Sequence, residues 1–314
     1  MGGLLISVGG WRLIFFINVP AGLVGMLLGW ILLPRSKYLQ AWQPFDWLGA
    51  ALFVPAVAAP LVAISFGADV GWTSPPIVTA YAIGTLLPPL FVLREARVST
   101  PLVALSLFRR IPFTAGIASG LLSYLVLFGT LFLVPFYLET RRGLSTAAAG
   151  LLLTALPAAL AVVAPFAGRI ADHFGARLVT VSGMLVTASG LAALAAVRRP
   201  EAVLLGELAW IGVGLGAFTP ANNAAIMAHA PQTHAGVAGG ILNMTRGLGT
   251  SLGVALTGLV FTVAGGGATK ASHLGDSPSL ARGFAAAMLF LALCALLAAG
   301  LSALRGGVQE QASR

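Results

Sequence analysis

Long apolar runs recur along the whole chain and constrain its fold more than any other feature. A transmembrane helix needs about 20 consecutive, mostly apolar residues to cross the hydrocarbon core of a bilayer. Nine runs of about this length occur, at 13–33, 47–66, 76–93, 112–136, 145–167, 178–197, 203–225, 236–264 and 283–304. The sequence therefore predicts an all-α polytopic membrane protein with about nine transmembrane helices.

The composition agrees with this prediction. Only 9% of the 314 residues are charged and 58% are hydrophobic, whereas about 25% of a typical soluble domain is charged. So few charged side chains cannot cover the surface of a 32 kDa particle in water. The composition excludes a soluble fold and predicts that lipid is the main solvent.

The formal charge of +9 does not indicate nucleic acid as a partner. Basic residues occur in ones and twos between the apolar runs, which is typical of the loops of membrane proteins, and form no basic patch. With the carboxyl terminus inside, the interior loops hold ten Lys and Arg residues and the exterior loops seven. We therefore expect a multi-pass protein of the plasma or inner membrane with a cytoplasmic carboxyl terminus.

The sequence holds little that could bind a metal or a cofactor. Cys294 is the single cysteine, which excludes an intramolecular disulfide and a cysteine-ligated cluster. His229 and His234 lie five residues apart without a cysteine or carboxylate beside them, so we predict no metal site there. Asn222 and Asn223 are interpreted as residues that cap or link helices. We expect neither a cofactor nor enzymatic activity.

Proline and glycine occur inside several apolar runs. Neighbouring helices in a membrane can satisfy the backbone groups that proline frees, so we expect kinked helices at these prolines and not loops. Glycine pairs four residues apart predict close helix contacts. They are Gly25 and Gly29, Gly116 and Gly120, Gly212 and Gly216, and Gly249 and Gly253.

The segment 168–177, GRIADHFGAR, lies between the fifth and sixth apolar runs. It resembles the signature loop of the major facilitator superfamily, in which a glycine, an acid four residues on, a second glycine and basic residues follow one another. Glycine allows a tight turn, and charged side chains can pair with helix ends or with each other. The resemblance implies a conformational latch formed by Gly168, Arg169, Asp172, Gly175 and Arg177. His173 stands where the family usually has a basic residue, which would weaken the latch.

Further segments resemble the fourteen-span drug:proton antiporters of this superfamily. They are WRLIFFINVP at 11–20, DWLG at 46–49, GWTSP at 71–75, Glu95 with PL at 101–102, PFYL at 135–138 and GGILNMTR at 239–246. Their order and spacing match that family over nearly the whole chain. The resemblance implies proton-coupled efflux of drugs or other small amphipathic compounds by alternating access.

The register of this resemblance implies a particular domain division. The run 13–33 would be the last helix of a first six-helix bundle, and residues 34–111 would hold two inserted helices and a cytoplasmic segment. Residues 112–304 would form a complete second bundle of inverted three-helix repeats, followed by a tail at 305–314. Gly2 and Gly3 would close the antiporter motif of the preceding helix, so the chain resembles an amino-terminally truncated transporter.

Segment 101–110, which is apolar but too short to cross, is interpreted as either a short interfacial helix or a connecting loop.

Arg246 lies ten residues into its apolar run, about 15 Å along a helix axis. An arginine at such a depth costs about 2.5 to 3.5 kcal/mol on insertion scales, so we expect it to face the bundle interior or a water-filled cavity. Asn243 and Thr250 would share its helix face. The sequence supports two readings, a substrate cavity or coupling site and a polar contact between helices.

Glu207 is the one acid placed well inside an apolar run. Removal from water would raise the pKa of its carboxyl group, as a proton-coupling residue requires. A solvated glutamate at the membrane interface is the alternative.

The predicted partners are therefore the lipid bilayer, protons and a small-molecule substrate. A non-transporting remnant, or a half-transporter subunit that needs a separate amino-terminal half, is the alternative to a proton-coupled exporter.

Overall fold

The computed structural model describes residues 12–16, 18–32, 46–98, 101–103, 105–196, 200–229, 235–265 and 278–305. These ranges contain eleven α-helices and one 3-10 helix, Leu105–Arg109. The α-helices are α1 (Arg12–Phe16), α2 (Asn18–Leu32), α3 (Trp47–Val70), α4 (Pro75–Glu95), α5 (Ile111–Arg142), α6 (Thr146–Leu153), α7 (Ala155–Phe174), α8 (Ala176–Leu194), α9 (Glu201–His229), α10 (Ala235–Ala264) and α11 (Pro278–Ala303).

The described helices confirm the prediction of a multi-pass membrane bundle. Eight segments are long and apolar enough to cross a bilayer, counting α6 and α7 together as one. The first predicted run, 13–33, corresponds to α1 and the 15-residue α2, none of whose described residues is buried. The predicted start of the last span at residue 283 is five residues late, because α11 begins at Pro278.

Helices α5 to α11 pack together with a twofold pattern of neighbours. Helix α9 packs against α7 and α8, while α5 packs against α10 and α11, and α8 also contacts α11. Exchanging α5 with α9, α7 with α10 and α8 with α11 leaves this pattern unchanged. Inverted three-helix repeats produce such an arrangement.

Two of the predicted glycine pairs lie at equivalent contacts of this pattern. On α9, a Cβ added to Gly216 would lie 2.9 Å from the carbonyl oxygen of Leu160 in α7. On α10, a Cβ added to Gly253 would lie 2.5 Å from the carbonyl oxygen of Leu125 in α5. Glycine lets these backbones approach more closely than any other residue would. By contrast, a Cβ on Gly25 would meet nothing within 4 Å.

Most of the prolines lie inside helices, as predicted, including Pro55 and Pro60 in α3 and Pro88 and Pro89 in α4. The predicted run 145–167 is not one continuous helix, because α6 ends at Leu153 and α7 begins at Ala155. Proline lacks an N–H group and its ring clashes with the carbonyl four residues before it. Pro157 cannot donate a hydrogen bond to the Leu153 carbonyl and its ring clashes with that group, and the helix is interrupted at Leu153.

An ion pair joins the ends of α3 and α4. Asp46 caps α3 by accepting a hydrogen bond from the Gly49 N–H at 2.8 Å, and Arg94 Nη2 lies 2.6 Å from Asp46 Oδ1. The Arg94 guanidinium, followed by the Gly49 N–H, holds the pKa of the Asp46 carboxyl group below its ordinary value. The α3–α4 pair is thereby fixed as a hairpin, which contacts the bundle of α5 to α11 through α3 and α10.

The segment that follows α4 forms the 3-10 helix rather than an irregular loop. Its Leu107 is 2% exposed and packs in an apolar cluster with Phe113 of α5 and Ile226 of α9.

Candidate functional site

The predicted latch segment turns at a single residue between α7 and α8. Gly175 has φ +85°, a backbone conformation that side-chain-bearing residues rarely adopt. Its N–H donates a hydrogen bond of 2.9 Å to the carbonyl oxygen of Ala171, which ends α7. Gly168 has a different position, inside α7, where an added Cβ would meet nothing within 4 Å. The turn therefore depends on Gly175 and does not depend on Gly168.

The charged residues of the segment project from both sides of this turn. Arg169 and Asp172 are exposed near the end of α7, and Arg177 is exposed in the first turn of α8. Asp172 makes no hydrogen bond or ion pair within the residues that the structure describes. The structure thus brings the predicted latch residues to one end of the bundle without pairing them to each other.

Four of the predicted latch residues, all but Arg169, border a cavity of about 540 Å³, which we name the motif cavity. Helices α5, α7, α8 and α9 and Arg305, two residues after the end of α11, surround it. Most of its wall is alanine and glycine, so the charged side chains dominate its chemistry. The residues that line it are Pro112, Gly168, Ala171, Asp172, Gly175, Ala176, Arg177, Ala221, Ala224, Ala225, Ala228, His229 and Arg305.

Arg305 is a buried part of this wall that the sequence did not single out. It is the second residue after the last helix and is only 7% exposed. Its Nη2 donates a 2.9 Å hydrogen bond to Ser119 Oγ of α5 and a second, short one to Asn222 Oδ1 of α9. Asn222 Nδ2 in turn donates to the Gly116 carbonyl oxygen at 3.3 Å. We name this group the Arg305 bridge.

Gly116 and Gly120 leave the space that the Arg305 bridge occupies. A Cβ on Gly116 would lie 2.6 Å from Ile226 Cγ1 and 2.8 Å from Arg305 Nη2. A Cβ on Gly120 would lie 3.0 Å from Asn222 Nδ2. Burial lowers the pKa of Arg305 to about 10, because a charged guanidinium loses hydration there. Arg305 therefore stays cationic at neutral pH while buried.

Two sequence signals could have located this bridge. The Gly116 and Gly120 pair predicted a close helix contact, and Asn222 was interpreted as a link between helices, which the structure confirms. Arg305 gave no separate signal, since a single arginine after an apolar run is typical of any membrane loop.

Arg246 lies on a different surface, the exposed face of α10. Arg246, Asn243 and Ser251 are exposed, and Thr250 is half-buried. The buried residues of α10 include Thr245, Gly249 and Gly253. Arg246 makes no side-chain hydrogen bond or ion pair within the described ranges. The prediction that Arg246, Asn243 and Thr250 share one side of the helix agrees with this arrangement. We name these three residues the polar stripe.

Glu207 lies near the other end of the bundle. It is half-buried in α9 and takes part in a polar interaction within the structure. It lies about 33 Å from the end of α9, whereas Arg246 lies about 16 Å from the start of α10, at 1.5 Å per residue. These helices follow one another in the chain, so the two side chains differ in depth by about 17 Å. The structure does not bring them together.

Within the described part of the chain, no group of three or more His, Cys, Asp or Glu residues could hold a metal ion. His229 Nδ1 lies 2.6 Å from the carbonyl oxygen of Ala225, one turn earlier in α9. His234, Gly2 and Gly3 lie outside the described residues.

A helical membrane bundle with a repeated three-helix unit and a glycine turn between two of its helices is the architecture of a secondary transporter. Residues 1–254 match the sequence profile of the Major Facilitator Superfamily. The chain belongs to this family of membrane transporters.

Curated relatives include proteins named for drug resistance and export. The chain is 33% identical over 262 residues to the multidrug resistance protein Stp of Mycobacterium tuberculosis, covering 83% of this chain and 48% of that protein. It is 32% identical to the tetracenomycin C resistance and export protein of Streptomyces glaucescens, covering 88% of this chain and 50% of that protein. The riboflavin transporter RibZ of Clostridioides difficile is 34% identical over 81% of this chain and 55% of its own length. The chain spans about half the length of these relatives.

Proposed function

We propose that this chain forms the second bundle of a membrane transporter that exports drugs or other small amphipathic compounds by alternating access. Membership of the Major Facilitator Superfamily and similarity to proteins named for resistance and export support this proposal. The polar stripe on α10 is the observation that carries it. An arginine on an otherwise apolar transmembrane helix avoids lipid by facing protein or a water-filled cavity.

The exposure of the helices indicates where the rest of the transporter packs. In the apolar segments of α6–α7 and α10, 11% and 22% of the residues are buried, against 44% to 56% in α5, α8, α9 and α11. Helices α7 and α10 are equivalent in the twofold pattern, and both are largely exposed. We assign their exposed faces to the contact with a first bundle, and the polar stripe to the cavity between the two bundles.

In this proposal Asn243 and Arg246 line the substrate cavity. Asp172, Arg169 and Arg177 form a latch at the Gly175 turn, with Gly168 in the helix before it, and Asp172 pairs with a cation of the first bundle in one conformation. Exposure of Asp172 and the absence of a partner within the described residues support this role. The domain division at residues 33, 111 and 304, the cytoplasmic carboxyl terminus and the location in the plasma or inner membrane belong to the same proposal.

Proton coupling is part of the proposal, with Glu207 and Arg246 as its candidates. Because these two residues differ in depth by about 17 Å, each would act in its own part of the pathway. Glu207 is half-buried in a transmembrane helix, where protonation lowers the cost of removing a carboxylate from water.

A dye-export assay tests the proposed function. Cells that express this chain together with a first bundle, joined or as a separate polypeptide, should accumulate less of an amphipathic fluorescent dye than cells without it. A proton uncoupler should abolish the difference. Export that survives collapse of the proton gradient would contradict the coupling, and no export under any condition would contradict the transporter.

A half-transporter subunit or a non-transporting remnant is the second candidate, favoured by the match to only about half of each relative. Expression of the chain alone separates the candidates. Export that requires a separately encoded first bundle indicates the half-transporter, whereas failure with every first bundle supplied indicates the remnant.

A further inference from the structure

Arg305 has donor groups that its own bridge does not use. An arginine side chain carries five N–H donors, two on each terminal nitrogen and one on Nε. Ser119 and Asn222 accept hydrogen bonds from Nη2. Nε and Nη1 are buried and have no hydrogen-bond partner within the described residues. Three N–H donors of a side chain that is 93% buried therefore have no acceptor among the described residues, and Arg305 forms part of the wall of the motif cavity.

The other polar groups of the cavity give it a positive balance. Arg177 contributes a second guanidinium and Asp172 one carboxylate. His229 is the remaining titratable residue of the wall, with its Nδ1 against the Ala225 carbonyl oxygen. The amino terminus of α8, at Ala176, also borders the cavity and has no side-chain cap. Unpaired N–H groups at a helix amino terminus favour an anion.

A buried cation that lacks a carboxylate partner is costly unless an anion reaches it. A single carboxylate would use only part of the donor set. A phosphate group carries more acceptor oxygens, and guanidinium groups bind it with charge-assisted hydrogen bonds. The cavity of about 540 Å³ is large enough for a phosphate with a substituent.

We propose that the motif cavity binds a phosphate group, with the guanidinium groups of Arg305 and Arg177 as its main ligands. The phosphate could belong to a phospholipid headgroup or to a free anion in the adjacent aqueous phase. Both sources offer the same chemistry to the cavity. This inference adds a binding site that is independent of the substrate cavity proposed on α10.

Binding can be measured on the purified 314-residue chain in nonionic detergent. One arm compares the thermal unfolding temperature in inorganic phosphate with that in chloride at equal ionic strength. The other arm uses native mass spectrometry to compare retention of dihexanoyl phosphatidylglycerol with that of dihexanoylglycerol, which lacks the phosphate. A shift with inorganic phosphate indicates a free anion, and retention of the phosphatidylglycerol alone indicates a headgroup.

Two variants test the site without removing the Arg305 bridge. Ala224→Leu fills part of the cavity and changes no charge, and Arg177→Gln removes an exposed cation with no side-chain partner among the described residues. We expect each to weaken phosphate binding about tenfold, equivalent to about 1.4 kcal/mol. Arg282→Gln, at the opposite end of α11 and exposed, is the matched control and should bind as the parent does.

Three results would overturn the proposal. One is the absence of any response to both phosphate probes. Another is a response that persists equally in Ala224→Leu and Arg177→Gln. The third is phosphate binding that appears in the Glu310→Gln variant and not in the parent. This result would indicate that the Glu310 carboxylate, in the chain's own tail, pairs with Arg305 in the parent.

Discussion

Two arginines of the bundle formed by α5 to α11 have opposite surroundings. Arg305 is buried among α5 and α9, donates hydrogen bonds to Ser119 and Asn222, and lies against a glycine. Arg246 is exposed on α10, beside Gly247, whose added Cβ would meet nothing within 4 Å. The comparison separates two uses of a charged residue in a membrane bundle. Arg305 fastens helices of one bundle together, whereas Arg246 is presented to whatever packs against the bundle.

The largest expected difference in the free energy of unfolding is between variants of Gly116, which contacts Arg305, and Gly247, which follows Arg246 in the chain. Gly116→Val should lower the free energy of unfolding by about 2 to 3 kcal/mol, because the new side chain overlaps Ile226 and Arg305. Gly247→Val should change it by less than about 0.5 kcal/mol, because the site is open. Thermal unfolding of both variants in detergent measures the difference. Equal losses would show that the two surroundings are not distinct.

The arginines themselves come next. Arg305→Gln should lower the free energy of unfolding by about 1.5 to 2 kcal/mol through the loss of charge-assisted hydrogen bonds. Arg246→Gln should leave it within about 0.5 kcal/mol of the parent. In a complete transporter the order should reverse, with dye export reduced more by Arg246→Gln. If Arg246→Gln unfolds at a lower temperature than the parent but exports dye normally, Arg246 stabilises the fold and has no role in export.

Single hydroxyl groups refine the same comparison. Ser119→Ala removes a fully buried acceptor of Arg305 and should cost about 1 kcal/mol. Thr250→Ala removes a hydroxyl that donates only to the Arg246 backbone carbonyl within α10, and should cost less than about 0.5 kcal/mol. Chemical unfolding of the two variants, measured side by side, checks the order. A larger cost for Thr250→Ala would indicate that the polar stripe is packed.

The Arg94–Asp46 pair is a case in which an arginine has a carboxylate partner. We expect the smallest effect on stability from its variants. Because Arg94 lowers the pKa of Asp46 below 3.8, the pair stabilises the fold above that pH, and the contribution is lost as pH falls further. Asp46→Asn should therefore differ most from the parent near neutral pH and least in acid. Unfolding temperatures across this range test the sign. Arg94→Gln should reproduce the profile, and a flat difference would contradict it.

The positions of the transmembrane helices could be read from the sequence, because a bilayer requires an apolar run of nearly fixed length. The break between α6 and α7 could not be read from the sequence. Whether Pro157 interrupts the helix depends on how neighbouring helices satisfy the Leu153 carbonyl. The Gly175 turn was recognisable from its motif. The cavity behind that turn was not, because four helices and Arg305 form its wall.

The sequence alone determined that this chain crosses a membrane many times and that it belongs to the Major Facilitator Superfamily. These properties depend on local apolar length and on motifs that are continuous in the chain. Only the tertiary structure decided which arginine is buried. A guanidinium 83 residues from its asparagine partner and 186 from its serine partner leaves no local pattern. The helices must pack, with glycine at their closest contacts, before these donors and acceptors meet.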